Sequence, residues 1–395
     1  MCKIDKSSGF DRATFYNHKG ERMRLINICF IGMAYLLLSV STVSAQEIST
    51  DFSKTYKAYN NAYSRGNYPR AAELAQKSFD MAKKELGPDH EKTTIMAINL
   101  AHVLIILRKV DEAAPILSSA RKKILKMHGA EHTNMITIHE DQAKIYASKK
   151  ELDKSRKELD SAIAIITKTR GADDPEIASF LVQQATLDLA LDKIDLAQQD
   201  YERALVILEK KYGKNSVSTA STISALGDVE LRKQNFPKAE EYFKQTLKIF
   251  EDNLVEDDPV LLNAHARMAK IFIAMRDDRF KGHADRVIKF LPDEEGEAKP
   301  LFIMQPQYPV FKDGKKPQGW ALIQFDISTS GKVEKLKIVE SRPGNLFDKV
   351  TLDSAVKWRF KPKVKEGKRV KQLNTRARLV FAKDNIEVHM GEIKI

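Results

Sequence analysis

Between residues 51 and 291 apolar positions recur at spacings of three, four and seven, the mark of helices that bury one face. The pattern itself repeats. A bulky residue opens a helix at Tyr68, Val110, Leu152, Ile194 and Phe236. Three residues on stand Ala71, Ala113, Ser155, Ala197 and Ala239, and the same face continues through Ala120, Ala162 and Ala204 to Ile124, Ile166, Leu208 and Phe250. The preceding helix of each pair carries a small residue (Ala101, Ala143, Ala185, Gly227, Ala269) where two helices can approach closely. Gly87, Gly129, Gly171 and Gly213 are 42 residues apart. Each is expected to end a second helix with a left-handed cap, and the Asp, Glu, Asn or Ser that follows to cap the next first helix. A fixed period in this range means a repeat array. Five clear units run from about residue 51 to 252 and a degenerate sixth reaches about 291, with Phe280 and Ala284 out of register as in a terminal cap.

Past the acidic stretch Leu291-Pro-Asp-Glu-Glu-Gly296 the period changes from that of a helix to that of a strand. Trp320–Ile327 and Val333–Val339 alternate as strands around the turn Thr329-Ser-Gly-Lys332, Leu346–Trp358 reads as a helix, and Thr375–Ala382 as a final strand. The order β-β-α-β predicts a small antiparallel sheet with one covering helix. The expected organisation is a leader at 1–45, a repeat array at 46–291, a linker at 292–299 and a C-terminal domain at 300–395.

The leader adds a compartment. Met23-Arg24, the apolar run Leu25–Leu38 and the exit Val43-Ser44-Ala45 read as a secretory signal cleaved after Ala45, with translation starting at Met1 or Met23. An uncleaved, periplasm-facing anchor is the alternative. Both cysteines, Cys2 and Cys29, lie in this segment, so cleavage leaves a chain without disulfides. The formal charge is +12, and from Pro300 onward there are 20 Lys and Arg against 10 Asp and Glu. The C-terminal part is the basic one. Within it, Lys357-Trp-Arg-Phe-Lys-Pro-Lys-Val-Lys365 makes a basic stripe, read either as charge protecting a sheet edge or as an anion-binding surface. Export disfavours nucleic acid as a partner.

The array's small-residue and aromatic columns resemble tetratricopeptide repeats, in the long form of kinesin light chains. The resemblance implies a mostly α protein, a right-handed α-solenoid of helix pairs, followed by a small α+β domain. It also implies that first helices line a concave, peptide-binding face. Two columns fall there: Lys57, Asn99, Asp141, Gln183, Ala225 and Arg267; and Asn60, His102, Lys144, Thr186, Asp228 and Lys270. The alternative is a merely solvated inner surface. The C-terminal domain resembles that of TonB in Tyr308-Pro309, Gly319, Asp326–Gly331, Val339-Glu-Ser341, Leu346-Phe-Asp348, Phe360-Lys-Pro362 and Gly367–Val370. That family contacts outer-membrane transporters. The resemblance places Thr375–Ala382 at an edge of the sheet, where Thr375, Arg376, Arg378 and Val380 would meet an extended acidic guest. Two departures stand out: the apolar segment 25–45 holds no His, and the array replaces a Pro-rich spacer.

Catalytic constellations are missing. There is no Gly-rich phosphate loop and no Gly-x-Ser-x-Gly. His139-Glu140 begins a metalloprotease motif, but residue 143 is Ala. His90 and His132 hold the same loop position one repeat apart and read as packing residues, so no metal and no cofactor are expected. The leading functional reading is a non-enzymatic, periplasmic adaptor linked to outer-membrane transport. An envelope scaffold without a transport role is the alternative.

Overall fold

The computed structural model describes residues 49–309, 316–382 and 385–391. The leader and its expected cleavage site lie outside them. The chain forms two compact units, one ending at Lys233 and one beginning at Gln234.

The first unit holds α1 (Thr50–Ser64), α2 (Tyr68–Leu86), α3 (Glu91–Ile106), α4 (Val110–His128), α5 (Asn134–Ser148), α6 (Leu152–Arg170), α7 (Pro175–Ala190), α8 (Ile194–Tyr212) and α9 (Val217–Arg232). Tyr68, Val110, Leu152 and Ile194 each begin a second helix, as the pattern predicts. The small columns are where helices meet: Ala71, Ala101, Ala113, Ala185 and Ala197 have no exposed surface. A longer side chain there would push the pair apart, because interiors are close-packed. Polar side chains cap four of the five first helices here, α1, α3, α7 and α9. Ser49 Oγ accepts from Phe52 N–H at 3.1 Å. Asp174 accepts from Glu176 N–H at 2.9 Å and Ser216 from Thr219 N–H at 3.1 Å, while the His90 ring accepts from Lys92 N–H at 3.1 Å. The histidine expected to pack beneath a turn is thus an N-cap.

The glycine caps differ from expectation. Gly87, Gly129, Gly171 and Gly213 have positive φ (83 to 97°) but ψ near 160–180°, an extended conformation open essentially to glycine alone, where a left-handed helical cap was predicted. A second ladder stands at the tight turn inside each pair. Gly66, Arg108, Lys150, Asp192, Gln234 and Arg276 have φ of 56–66° and are likewise 42 residues apart. Five of the six are not glycine.

The second unit opens with α10 (Phe236–Asn253), α11 (Pro259–Ala274) and α12 (Phe280–Lys289). At 10 residues α12 is much shorter than α10 at 18, and Phe280 and Ala284 are fully buried in their shifted register. Then follow β1 (Lys299–Phe302), β2 (Gly319–Ile327), β3 (Val333–Arg342), α13 (Asp348–Ala355), β4 (Arg359–Lys361), β5 (Lys363–Lys365), β6 (Lys368–Val370), β7 (Gln372–Phe381) and β8 (Ile386–Met390). β3-β2-β7-β8 form one antiparallel sheet, and β1-β4 and β5-β6 two small ones. Its core joins Ala321, Ile323 and Phe325 of β2, Ala377, Leu379 and Phe381 of β7, and Phe347, Trp358 and Phe360. The covering helix is shorter than read from sequence, since Trp358 has left it to donate its indole N–H to Met304 O at 2.9 Å.

One expectation is overturned. The strand Thr375–Ala382 is internal to the sheet, because β2 pairs with it on one side and β8 on the other from Ala377 to Phe381. The alternation of Ile386, Val388 and Met390 with Glu387 and His389 carried the signal for β8, but the resemblance ended before it. Among the described residues no helix is long and apolar enough to cross a membrane.

Candidate partner-binding surfaces

The two polar columns of the first helices do not form one uniform surface. In the first unit, Asn99 and Asp141 are buried at 7% and 0% exposure. Asp141 Oδ1 lies 2.8 Å from His102 Nδ1, and His102 Nε2 lies 2.8 Å from Tyr63 Oη. Lys144 Nζ sits 2.8 Å from Glu140 and 3.5 Å from Asp141. Burial pushes the Asp141 carboxyl up, but the His102 ring and the Lys144 ammonium outweigh it and hold it below the ordinary carboxylate range. With Asp141 ionised, its oxygen only accepts, so His102 Nδ1–H is the donor in that pair. The result is a polar chain from Tyr63 of α1 through α3 to α5, with Tyr59 packed against its Tyr63 end.

Other column members remain accessible. Asn60, Gln183 and Asp228 are half-buried and Thr186 is exposed, its hydroxyl bonded to Val182 O at 2.8 Å. Gln184, which neither column contains, is buried and donates to Asp160 at 2.6 Å. Arg156 pairs with both Asp188 and Asp200, tying α6 to α7 and α8. Within the second unit, Arg267 donates to Asn263 Oδ1 at 2.8 Å and lies over the Phe243 ring, while Lys270 is exposed. Asn99 and Asp141 are therefore internal, while His102 and Lys144 are half-buried and tied to Asp141.

On the sheet, Arg376 and Arg378 do share the face opposite Ala377, Leu379 and Phe381. Arg378 stacks its guanidinium over Trp320 at 4.6 Å. Its backbone faces Leu322 on one strand and His389 on the other, and Val380 faces Trp320 and Glu387 likewise. Thr375 lies beyond the end of β8, and Arg376 O accepts from Gly391 N–H at 3.4 Å. Backbone pairing leaves Arg378 and Val380 no room for a guest strand. A proline at Arg378 would break the sheet itself.

Most of the basic stripe is paired with acidic side chains. Arg359, 6% exposed, bonds Asp285 of α12 at 2.7 Å. Lys357 reaches Asp278 at 2.8 Å, Lys361 Glu294 at 2.6 Å and Lys363 Glu297 at 2.6 Å. Arg369 binds Asp293 and donates to the carbonyls of Ile288 and Leu291 at the end of α12. The acidic stretch read as a linker is the counter-charge of the stripe. Gly331 completes the seam: a Cβ there would lie 2.0 Å from Phe360 O. Sequence spacing could not show this, since the partners are 74 and 76 residues apart.

These features define a helical-repeat protein with a sheet domain fastened to its last helix pair. Residues 60–91 and 176–252 match the tetratricopeptide repeat, and residues 304–381 match the family of Gram-negative bacterial TonB protein C-terminal domains. The C-terminal part is 30% identical over 82 residues to Protein TonB of Pseudomonas aeruginosa, covering 21% of this chain and 24% of that one. It is 29% identical over 58 residues to Protein TonB of Escherichia coli K12, covering 15% and 24%. The chain thus spans about a quarter of the length of these curated relatives. A putative kinesin light chain with nearly identical TPR-like repeats from Podosopora anserina aligns with a TM-score of 0.45 at 18% identity, covering 51% of this chain and 95% of that one. The protein carries tetratricopeptide repeats and a C-terminal domain of the TonB family, both folds of proteins that bind proteins.

Proposed function

We propose that this chain is an exported adaptor of the bacterial envelope. The accessible first-helix residues of the array hold one protein partner, and the TonB-type sheet takes an extended segment of an outer-membrane transporter as an added strand. The observation that carries this reading is the outer side of β8, which pairs with no strand among the described residues. Such a side offers N–H and C=O groups to a guest. The opposite edge suits addition less, because β3 meets β2 through two register shifts, and bulges turn an edge away from further pairing.

Backbone amide shifts in a titration with an acidic peptide test the site. Perturbation centred on Ile386–Met390 is expected, and shifts confined to Val333–Arg342 would move the guest to β3. The array is tested by changing Asn60, Gln183 and Asp228 together to Ala. Asp141 is left alone because its loss would strip His102 and Lys144 of a buried partner. Unchanged partner affinity removes the groove. N-terminal sequencing of the mature protein decides cleavage between Ala45 and Gln46. A scaffold without energy transduction remains the second reading, favoured by the limited share of TonB that the likeness covers. Cross-linking in the periplasm followed by mass spectrometry separates the two by whether a transporter is recovered.

A further inference from the structure

Reading the histidines singly missed a pair. His128-Gly-Ala-Glu-His132 has the His-x-x-x-His spacing, and the fold brings Glu91 to it. The three residues come from three places in the first unit. Glu91 is in the first turn of α3, His128 is the last residue of α4, and His132 lies in the loop before α5. One donor atom from each lies within 4.8 Å of the other two. Glu91 Oε1 is 3.0 Å from His128 Nε2, and the two imidazole rings stack with centroids 4.3 Å apart.

We propose that Glu91, His128 and His132 bind one divalent transition-metal ion of the zinc class, clipping α3 to the junction of α4 and α5. Two imidazoles and a carboxylate are a donor set suited to zinc, and they leave a fourth position open. Tetrahedral coordination at zinc bond lengths sets donors about 3.4 Å apart. The Glu91–His128 separation is already inside that distance. The other donors lie within 4.8 Å of one another, so the remaining adjustment is at most about 1.4 Å, and the exposed His128 side chain can make it by rotation. The Asn134 N–H contact to His132 Nδ1, 3.3 Å long, is given up in either binding mode. A metal on Nδ1 takes that lone pair, and a metal on Nε2 leaves the proton on Nδ1.

The constellation belongs to this junction alone among the neighbouring ones. The same three positions hold Thr133, Arg170 and Asp174 one repeat on, and Pro175, Tyr212 and Ser216 two repeats on. A general helix-end ion pair would need only His128 and Glu91. His132 adds nothing to such a pair and completes a metal site.

The test uses the full, untagged chain stripped with chelator and titrated with Zn2+ by calorimetry. One equivalent is expected. His132→Ala and His128→Ala should each weaken binding about tenfold or more, at least the loss that removal of an outer-shell partner causes. Melting should rise with Zn2+ in the unaltered chain, as for any ligand of the native state, and not in His128→Ala with His132→Ala. Should that double variant fail to fold, the unaltered chain still answers: Zn2+ must protect His128 and His132 from diethylpyrocarbonate, read by mass spectrometry. No binding, one-equivalent binding unchanged in the folded double variant, or no protection of these two histidines would overturn the site.

Discussion

Ala143 in the repeat array and Ala377 in the C-terminal sheet are both buried, at 2% and 0% exposure, yet different kinds of neighbour hold them. Ala143 sits in α5 and its carbonyl accepts from Ser155 Oγ, 12 residues on in the next helix. Ala377 pairs with Ile323, across more than fifty residues, and with Met390. The array repeats one local solution with interchangeable small residues. The sheet is a single solution assembled from distant segments. Side chains in the array are therefore replaceable by their counterparts one period away, whereas those in the sheet have none. Errors in the sheet should cost more than errors in the array.

Four measurements sharpen or break that contrast. The largest effect is expected in the sheet. Trp358→Ala removes a fully buried indole and its bond to Met304 O, and chemical denaturation should report a loss of about 3–5 kcal/mol in the C-terminal unit. A loss below about 1 kcal/mol would mean the sheet tolerates cavities as a local structure can. Next comes the seam. Arg359→Ala strips Asp285 and the carbonyls of Lys357 and Trp358 of a donor, for about 2–3 kcal/mol. Protease susceptibility at residues 291–299 should rise with it.

The third measurement is a pH profile of the second unit. His265 is 5% exposed, lies 2.9 Å from His283 Nδ1 through its own Nδ1, and has Glu251 3.9 Å away. Burial first, then His283 and Arg286, push its pKa down to about 4. The His283 ring is pushed down too, by burial and then Arg279. The unfolded chain takes up a proton at His265 near pH 6.5 while the folded one waits until about 4. Stability present above pH 6.5 is lost as pH falls toward 4, at up to about 1.4 kcal/mol per unit. His265→Phe should flatten that part of the profile. The smallest effect is a gain. Lys150 holds φ of 62° at a turn inside a helix pair, so Lys150→Gly should stabilise the array by about 0.5–1 kcal/mol. A loss would mean the Lys150 side chain contributes more than its backbone strain costs.

The same contrast decides what sequence could reveal. Helix starts at Tyr68, Val110, Leu152 and Ile194 were legible because each is announced again 42 residues later. The positive-φ turns were hidden, since Arg108, Lys150, Asp192 and Gln234 carry no glycine signal and only their spacing marks them. In the sheet, β2, β3 and β7 alternate over nine or ten residues and could be read. β4, β5 and β6 have three residues each, too few for a period. The polar columns were placed on the correct helices, but whether Asp141 faces water or a neighbour depends on the next repeat's packing. The edge assignment failed for a similar reason: a strand's place in a sheet is set by its partners, and β8 lay beyond the recognised pattern.

The seam between α12 and the sheet changes what a bound segment would feel. A domain on a loose leash lets a guest wander, and tension along the guest is spent in straightening the leash. Here the acidic stretch is laced down by Arg369, Lys361 and Lys363, and Arg359 grips Asp285 from within. Tension on a sheet that held such a segment would be borne at once by α12, with no slack to take up. The last helix pair and the sheet would move as one lever arm, and the place to weaken that lever is Arg359 rather than any residue of the stretch that joins them.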